Sequence, residues 1–336
     1  DLLETLGVYP VLEDLVRGQF LDQISFTRDP DYVFHHPLIR TVAYESQLKS
    51  DRAELHRRLA AAIEARAPAS ADENAALIAE HLEAAGELHA AYGWHMRAAT
   101  WATYRDIAAA RLSWERALTI ADALPAEDPG RTAMRIAPRT MLVGTAYRVR
   151  VRVAGARFDE LRQLCTAAGD KASLAIAMAS LVNDHVWQAE TRQASSLASE
   201  AMALIESIGD PTLVVGLTWA LVYAKVERGE WTDVLRWSQR VIDLADGDPE
   251  KGNFVVGSPL ALAFATRGMA RYCLGHSGWR NDLRHGLSMA RNTDPISYSG
   301  VFVWSCGMGI CFGVVRPDDQ VMGEHEDVRR IAGRPG

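Results

Sequence analysis

The residues most pointedly placed for chemistry in this chain are His35-His36-Pro37. A histidine between an apolar strand end and a proline-led helix can meet an anion, because a helix N-terminus presents unpaired N–H groups and partial positive charge. A packed or solvent-facing imidazole is the plainer reading of the same residues. Arg148, Arg150 and Arg152 alternate with Val149, Val151 and Val153, so an extended backbone would line three guanidinium groups along one side for an anion or an acidic partner. The competing reading is a solvated loop between helices. Cys306 and Cys311 lack the histidine or second cysteine pair that would complete four metal ligands, and read as two small buried residues. Gly275-His-Ser-Gly278 only superficially resembles a nucleophile turn, and it falls where an interhelical loop is needed. The sequence contains no G-x-x-x-x-G-K-S/T phosphate loop, no H-E-x-x-H and no G-x-S-x-G. It therefore predicts no catalytic residue and no metal site. Trp187, Trp219, Trp231, Trp237, Trp279 and Trp304 should mostly pack between helices, with one or two on a concave face able to anchor a ligand or peptide.

The elements that must position these residues are helical. The composition, 48% hydrophobic and 24% charged with a formal charge of −7, describes a globular chain of 336 residues and gives no general reason to expect nucleic acid as a partner. Four scattered cysteines make no disulfide framework and no signal peptide opens the chain, so a reducing cytoplasm is the expectation. Pro295 to Val315 carries no charge and is long enough for a bilayer, but its proline, serines and glycines favour a buried helix of a helical array over a membrane span. From about Asp72 onward, apolar residues recur at helical offsets. Leu77, Ile78, His81, Leu82 and Ala85 form one such face, and Val234, Trp237, Val241 and Leu244 form another.

Helices should close at Gly169-Asp170, Gly209-Asp210 and Gly247-Asp248, at spacings of 40 and 38 residues. Leu161-Arg162, Leu235-Arg236 and Leu283-Arg284 recur early in what reads as the second helix of a pair. Periods of this size predict stacked helical hairpins, at 75–102, 106–145, 153–188, 191–227, 230–274 and 278–313, with a last helix near 317–332. The fold expected is an all-α right-handed solenoid of antiparallel helix pairs over 71–336. If the array is cut short at its C-terminal end, that end should expose an apolar face and lower the solubility of the piece. Residues 1–70 read differently. Helices at Leu2 to Leu6 and Val11 to Leu21 precede a hairpin in which Ile24-Ser-Phe-Thr and Tyr32-Val-Phe flank Arg28-Asp-Pro-Asp31, then a helix from Pro37 and a charged helix from Asp51 to Glu64, as in a small winged-helix module.

The stretch from Tyr32 to Ala60, YVFHHPLIRTVAYESQLKSDRAELHRRLA, resembles the end of the ATPase module in multidomain signal-transduction ATPases of the STAND type. There, a winged helix closes over the nucleotide domain and tetratricopeptide-like repeats follow. Glu73 to Gly86, Asp106 to Leu118, Phe158 to Arg162 and Val241 to Pro249 are similar to the bacterial subgroup that carries a class III adenylate cyclase domain or a LuxR-type helix-turn-helix. The resemblance implies that Phe34-x-His36 matches a motif whose histidine contacts the diphosphate of ADP, so His36 becomes the one nucleotide-site candidate. It also implies that ATP or ADP with magnesium belongs to the parent protein, whose phosphate loop and metal carboxylates would lie before Asp1, and that any DNA-binding motif would lie beyond Gly336. The function implied is a non-catalytic regulatory segment that couples nucleotide state to a protein or small-molecule effector on the solenoid. Its other partners would be its own ATPase domain and another copy of the chain, with no nucleic acid and no membrane. The alternative implied is a piece of an adenylate cyclase or of an ATP-dependent LuxR-type transcriptional regulator.

Overall fold

A computed structural model describes residues 9–25, 31–66, 68–149, 152, 156–253, 257–293, 295–316 and, beyond these, 323, 325, 326 and 328–330. They are mostly helices that pack as successive neighbours within each of two units, with a two-stranded hairpin near the start of the first. The expected helix at Leu2 to Leu6, the turn at 28–30 and Arg150 lie outside the described residues, as does much of the helix expected near 317–332. The chain divides into two compact units, Asp1–Leu142 and Val143–Gly336.

In the first unit, α1 (Tyr9–Arg17) leads into β1 (Leu21–Gln23), which pairs antiparallel with β2 (Tyr32–Phe34) in the register Leu21 to Phe34. The first strand thus precedes Ile24, and Ile24 serves the turn, its N–H donating to the Asp31 carbonyl at 2.9 Å. α2 (Pro37–Glu45) begins with its proline at the first helical position, where the missing N–H costs nothing. α3 (Lys49–Arg66), α4 (Ala75–Ala84), α5 (Leu88–Ala102), α6 (Ile107–Ala123) and α7 (Arg131–Gly144) follow, with α3 packed on α4, α4 on α5 and α5 on α6. Ala60 and Ile63 of α3 bury against Ile78 of α4, and Trp114 of α6 is fully enclosed among Ala99, Ala102, Ala110 and Leu142. Leu77, counted above with the inward face of α4, is 44% exposed, and the buried stripe runs through Ala75, Ile78 and Ala79 instead.

The second unit contains α8 (Ala156–Ala168), α9 (Lys171–Trp187), α10 (Thr191–Ile208), α11 (Pro211–Glu227), α12 (Trp231–Ala245), α13 (Pro259–Cys273), α14 (Trp279–Arg291), α15 (Pro295–Phe302) and, past a π-helical turn at Val303–Gly307, the short α16 (Met308–Cys311). The helix punctuation follows from named residues. The C-terminal ends of α8, α9, α11 and α13 each close with an N–H five residues on returning to the last turn: Asp170 to Cys165, Glu190 to His185 and Glu230 to Lys225 at 2.9 Å, and His276 to Arg271 at 2.7 Å. Gly169, Gly229 and Gly275 supply the left-handed residue this closure needs, and Ala189 adopts it at φ 59°. Asp170, Asp210 and Ser258 then cap the next helix, their side chains accepting from Ser173, Thr212 and Ala261 N–H groups.

Packing fixes the repeating unit. α9 packs on α11, α11 on α13 and α13 on α15, while α10, α12 and α14 each bridge two neighbouring odd helices. The odd helices therefore form one continuous row. The predicted hairpins at 75–102, 153–188, 191–227, 230–274 and 278–313 are neighbour pairs of packed helices, but the unit that repeats begins one helix later, as α9–α10, α11–α12 and α13–α14. In this frame Leu235-Arg236 and Leu283-Arg284 fall in the second helix, as their recurrence suggested, whereas the bounds 230–274 and 278–313 place them in the first. Two glycines let α13 and α14 approach closely. A Cβ at Gly286 of α14 would lie 2.8 Å from the Ala261 carbonyl oxygen, and one at Gly268 of α13 would lie 2.9 Å from the Leu283 side chain. Contacts that short leave no room for a methyl group, so α13 and α14 meet backbone to backbone.

Candidate functional site

His36 caps α2, its Nδ1 accepting from the Leu38 N–H at 3.2 Å. The ring is exposed, and Nε2 is the nitrogen left for a ligand. Its neighbour His35 holds the hairpin, with Nδ1 at 3.0 Å from the Asp22 carboxylate. Phe34 is exposed too, so the Phe34-x-His36 motif sits on a surface. α2 itself buries no residue.

Of the arginine row, Arg148 and Arg152 fall within the described residues. Ala146–Val149 is a 3-10 turn, which places Arg148 within it, half-buried. Arg152 is exposed and lies 3.6 Å from the carboxylate of Asp184, a buried residue of α9. One turn further along α9 stands Trp187, 68% exposed at the helix end. The 40-residue repeat makes Asn183 and Trp187 the equivalents of Tyr223 and Glu227 on α11, so these side chains belong to the same side of the odd-helix row. Trp219 precedes Tyr223 by one turn. Both rings are half-buried, and the loop after α12 crosses α11 at Gly216, where a Cβ on Gly252 would come within 2.6 Å of the Gly216 nitrogen.

Most of the other tryptophans pack, as expected. Trp304, from the π-helical turn, meets Trp219 and Tyr223 edge-on at 4.8 and 5.0 Å, bridging over α13. Trp231 meets Phe312 at 5.4 Å, Trp279 meets Tyr272 at 5.1 Å, and Trp237 is buried. The Pro295–Val315 segment buries Tyr298, Val301, Trp304 and Val314 in this core, as the reading of a buried helix requires, although Val303 and Phe312 are exposed. Among the described residues no helix is long and apolar enough to cross a membrane. Cys306 is buried, but Cys311 is exposed, contrary to its reading as a packed residue, because α16 ends at the surface. Gly275 and Gly278 lie in the α13–α14 loop, both left-handed. Among the described residues no cluster of histidine, cysteine and carboxylate groups could hold a metal.

The sequence reasoning missed two buried polar clusters that tie the repeats together. Lys225 donates from Nζ to Ser195 and Ser199 of α10 at 2.9 Å and to Glu230 at 2.6 Å. Ser195 in turn donates to Glu230, so its hydroxyl is spent inside the core and is no nucleophile facing a cleft. Arg267 of α13 forms a bidentate pair with Asp282 of α14 at 2.9 and 2.7 Å and reaches Gln239 of α12 at 2.7 Å. Arg271 adds a third bond to Asp282 at 2.8 Å. The signal was available in register: His185, Lys225 and Arg271 close successive odd helices and each pairs with a carboxylate, Glu190, Glu230 or Asp282.

No family model and no curated protein matches the chain. Its structure is similar to that of a Signal Transduction ATPase with Numerous Domains (STAND) protein with a tetratricopeptide repeat sensor from Pyrococcus horikoshii, at 12% identity and a TM-score of 0.49. The match covers 96% of this chain and 52% of that one, so the chain spans about half its length.

Proposed function

We propose that the chain is a non-catalytic regulatory segment whose odd-helix row, in the unit Val143–Gly336, docks a partner protein. The observation that carries this reading is Trp187, a large aromatic side chain left 68% exposed at the end of a well-packed helix. A large exposed aromatic side chain is the kind of residue that anchors an interface. Arg152, 3.6 Å from the Asp184 carboxylate, would supply the charge. The partner suited to that patch is a peptide segment with an apolar anchor and a carboxylate. In the same reading, residues 9–66 are the winged-helix end of an ATPase module, with His36 Nε2 offered to the phosphates of ADP, and the docking of a partner is coupled to nucleotide state as a shift between two arrangements.

The test is selection of a displayed peptide library against the full chain, followed by affinity measurements on the enriched sequences. Trp187→Ala should weaken binding by about tenfold to a hundredfold, the loss expected for an aromatic anchor, with Arg152→Ala weakening acidic peptides selectively. Enriched peptides indifferent to both substitutions would refute the assignment of this face.

A further inference from the structure

We propose that a cleft between α13 and α14 is a binding site for a small aromatic carboxylate, separate from the docking face proposed above. The cleft is open, with a volume of about 450 Å³, and is lined by Phe264 of α13 and by Asn281, Asp282, Arg284 and His285 of α14. α13 buries every residue from Pro259 to Ala270 except Phe264, so this one apolar side chain is left to face the cleft. Arg267 lies over its ring at 4.9 Å, and the His285 imidazole stands edge-on to it at 4.4 Å and 77°. Gly286 allows this approach, since a Cβ there would come 3.2 Å from the Phe264 Cβ.

The polar groups around that ring are donors. Arg284 is exposed and donates to two neutral acceptors, the Asn281 side-chain oxygen at 2.6 Å and the Arg280 carbonyl at 3.4 Å, and it meets no carboxylate among the described residues. With its oxygen taken, Asn281 offers its amide N–H groups, and the exposed His285 imidazole donates from one ring nitrogen even when neutral. The one carboxylate in the lining, Asp282, is buried and already accepts two bonds from Arg267 and one from Arg271. A ligand must therefore bring the negative charge itself.

Charge and shape agree on the class. α13 and α14 together carry Arg267, Arg271, Arg280, Arg284 and Arg291 against Asp282 alone, in a chain whose formal charge is −7. A local excess of one sign concentrates ligands of the other. A guanidinium takes a carboxylate through two parallel N–H bonds, and a planar ring packs edge-on or offset against a phenylalanine. The volume lies in the range of small-molecule sites. A ring bearing a carboxylate satisfies the floor and the rim together.

The experiment titrates the full chain with indole-3-acetate, by saturation-transfer NMR and calorimetry, with indole-3-acetamide as the uncharged control. The acetate should saturate with a dissociation constant of about 1 mM, the affinity of a ligand of its size at ordinary efficiency. The acetamide should bind about tenfold more weakly, the loss of a charge-assisted hydrogen bond. Arg284→Gln should weaken the acetate by the same factor and leave the acetamide unchanged, Phe264→Leu should weaken both, and hydrogen exchange over 279–287 should slow when the acetate is bound. Trp187→Ala should change neither ligand, which separates this site from the docking face. Equal binding of the two ligands, acetate binding indifferent to Arg284→Gln, its loss in Trp187→Ala, or no saturation by about 10 mM would each overturn the site. An acidic peptide bound at the cleft where the acetate is not would overturn the ligand class.

Discussion

Replacing Asp282 with alanine should destabilise the α13–α14 region by about 3–5 kcal/mol, the cost of stranding a buried charge. Asp282 and Arg267 have side chains only 6% and 10% exposed, and the carboxylate takes both prongs of Arg267 together with one from Arg271. Without it, Arg267 keeps Gln239 as its hydrogen-bond acceptor and faces Phe264 at 4.9 Å, with water largely excluded. The loss should appear as faster hydrogen exchange over 259–291, since stacked repeats open locally and a single unfolding midpoint averages over them. Asp282→Ala combined with Arg267→Met should recover most of the loss, because an apolar pair of similar volume replaces a buried ion pair at little cost. A single mutant within about 0.5 kcal/mol of the native chain would mean that the pair is solvated like a surface bridge.

Trp304→Ala should cost about 3–5 kcal/mol as well, through a different route, loss of a buried ring. The indole stands perpendicular to both Trp219 and Tyr223, and all three close over α13, a helix buried from Pro259 to Met269 except at Phe264. Its removal opens a cavity bounded by α11 and the π-helical turn, and leaves two aromatic rings of α11 without their partner. Exchange over 211–227 should accelerate with exchange over 297–311, and Trp304→Phe should lose less. Unchanged exchange over 211–227 would show that α11 does not depend on the later segment.

What the sequence could and could not announce follows from the range of the contacts. Helix ends were legible because their causes are local: a left-handed glycine, an aspartate cap, a proline at the first helical position, as at Gly209-Asp210-Pro211. The antiparallel pairs were legible from the spacing of those ends. The repeating unit was not, because an even helix such as α12 packs on both α11 and α13, and only the direct packing of odd helix on odd helix decides the frame. The inward face of α4 was misjudged at Leu77 because two adjacent leucine-like residues span about 100° of a helix, and one must point away. His56 and His81, with ring nitrogens 3.0 Å apart, lie 25 residues apart in the chain and gave no local sign of meeting. The alternation of arginine and valine left an extended row and an interhelical loop both open, and Ala146–Val149 forms a 3-10 turn. Trp187 was visible as a residue, but its exposure belongs to the packing of α9.

The central claim, that the odd helices of the second unit are the working face, is tested most directly by hydrogen exchange of the chain with and without a saturating library-selected peptide. The account predicts added protection over α9 and α11, strongest at 180–187 and 219–227, with little change in α10 and α12. Protection confined to α10, α12 and α14 would contradict it and move the docking surface to the opposite row.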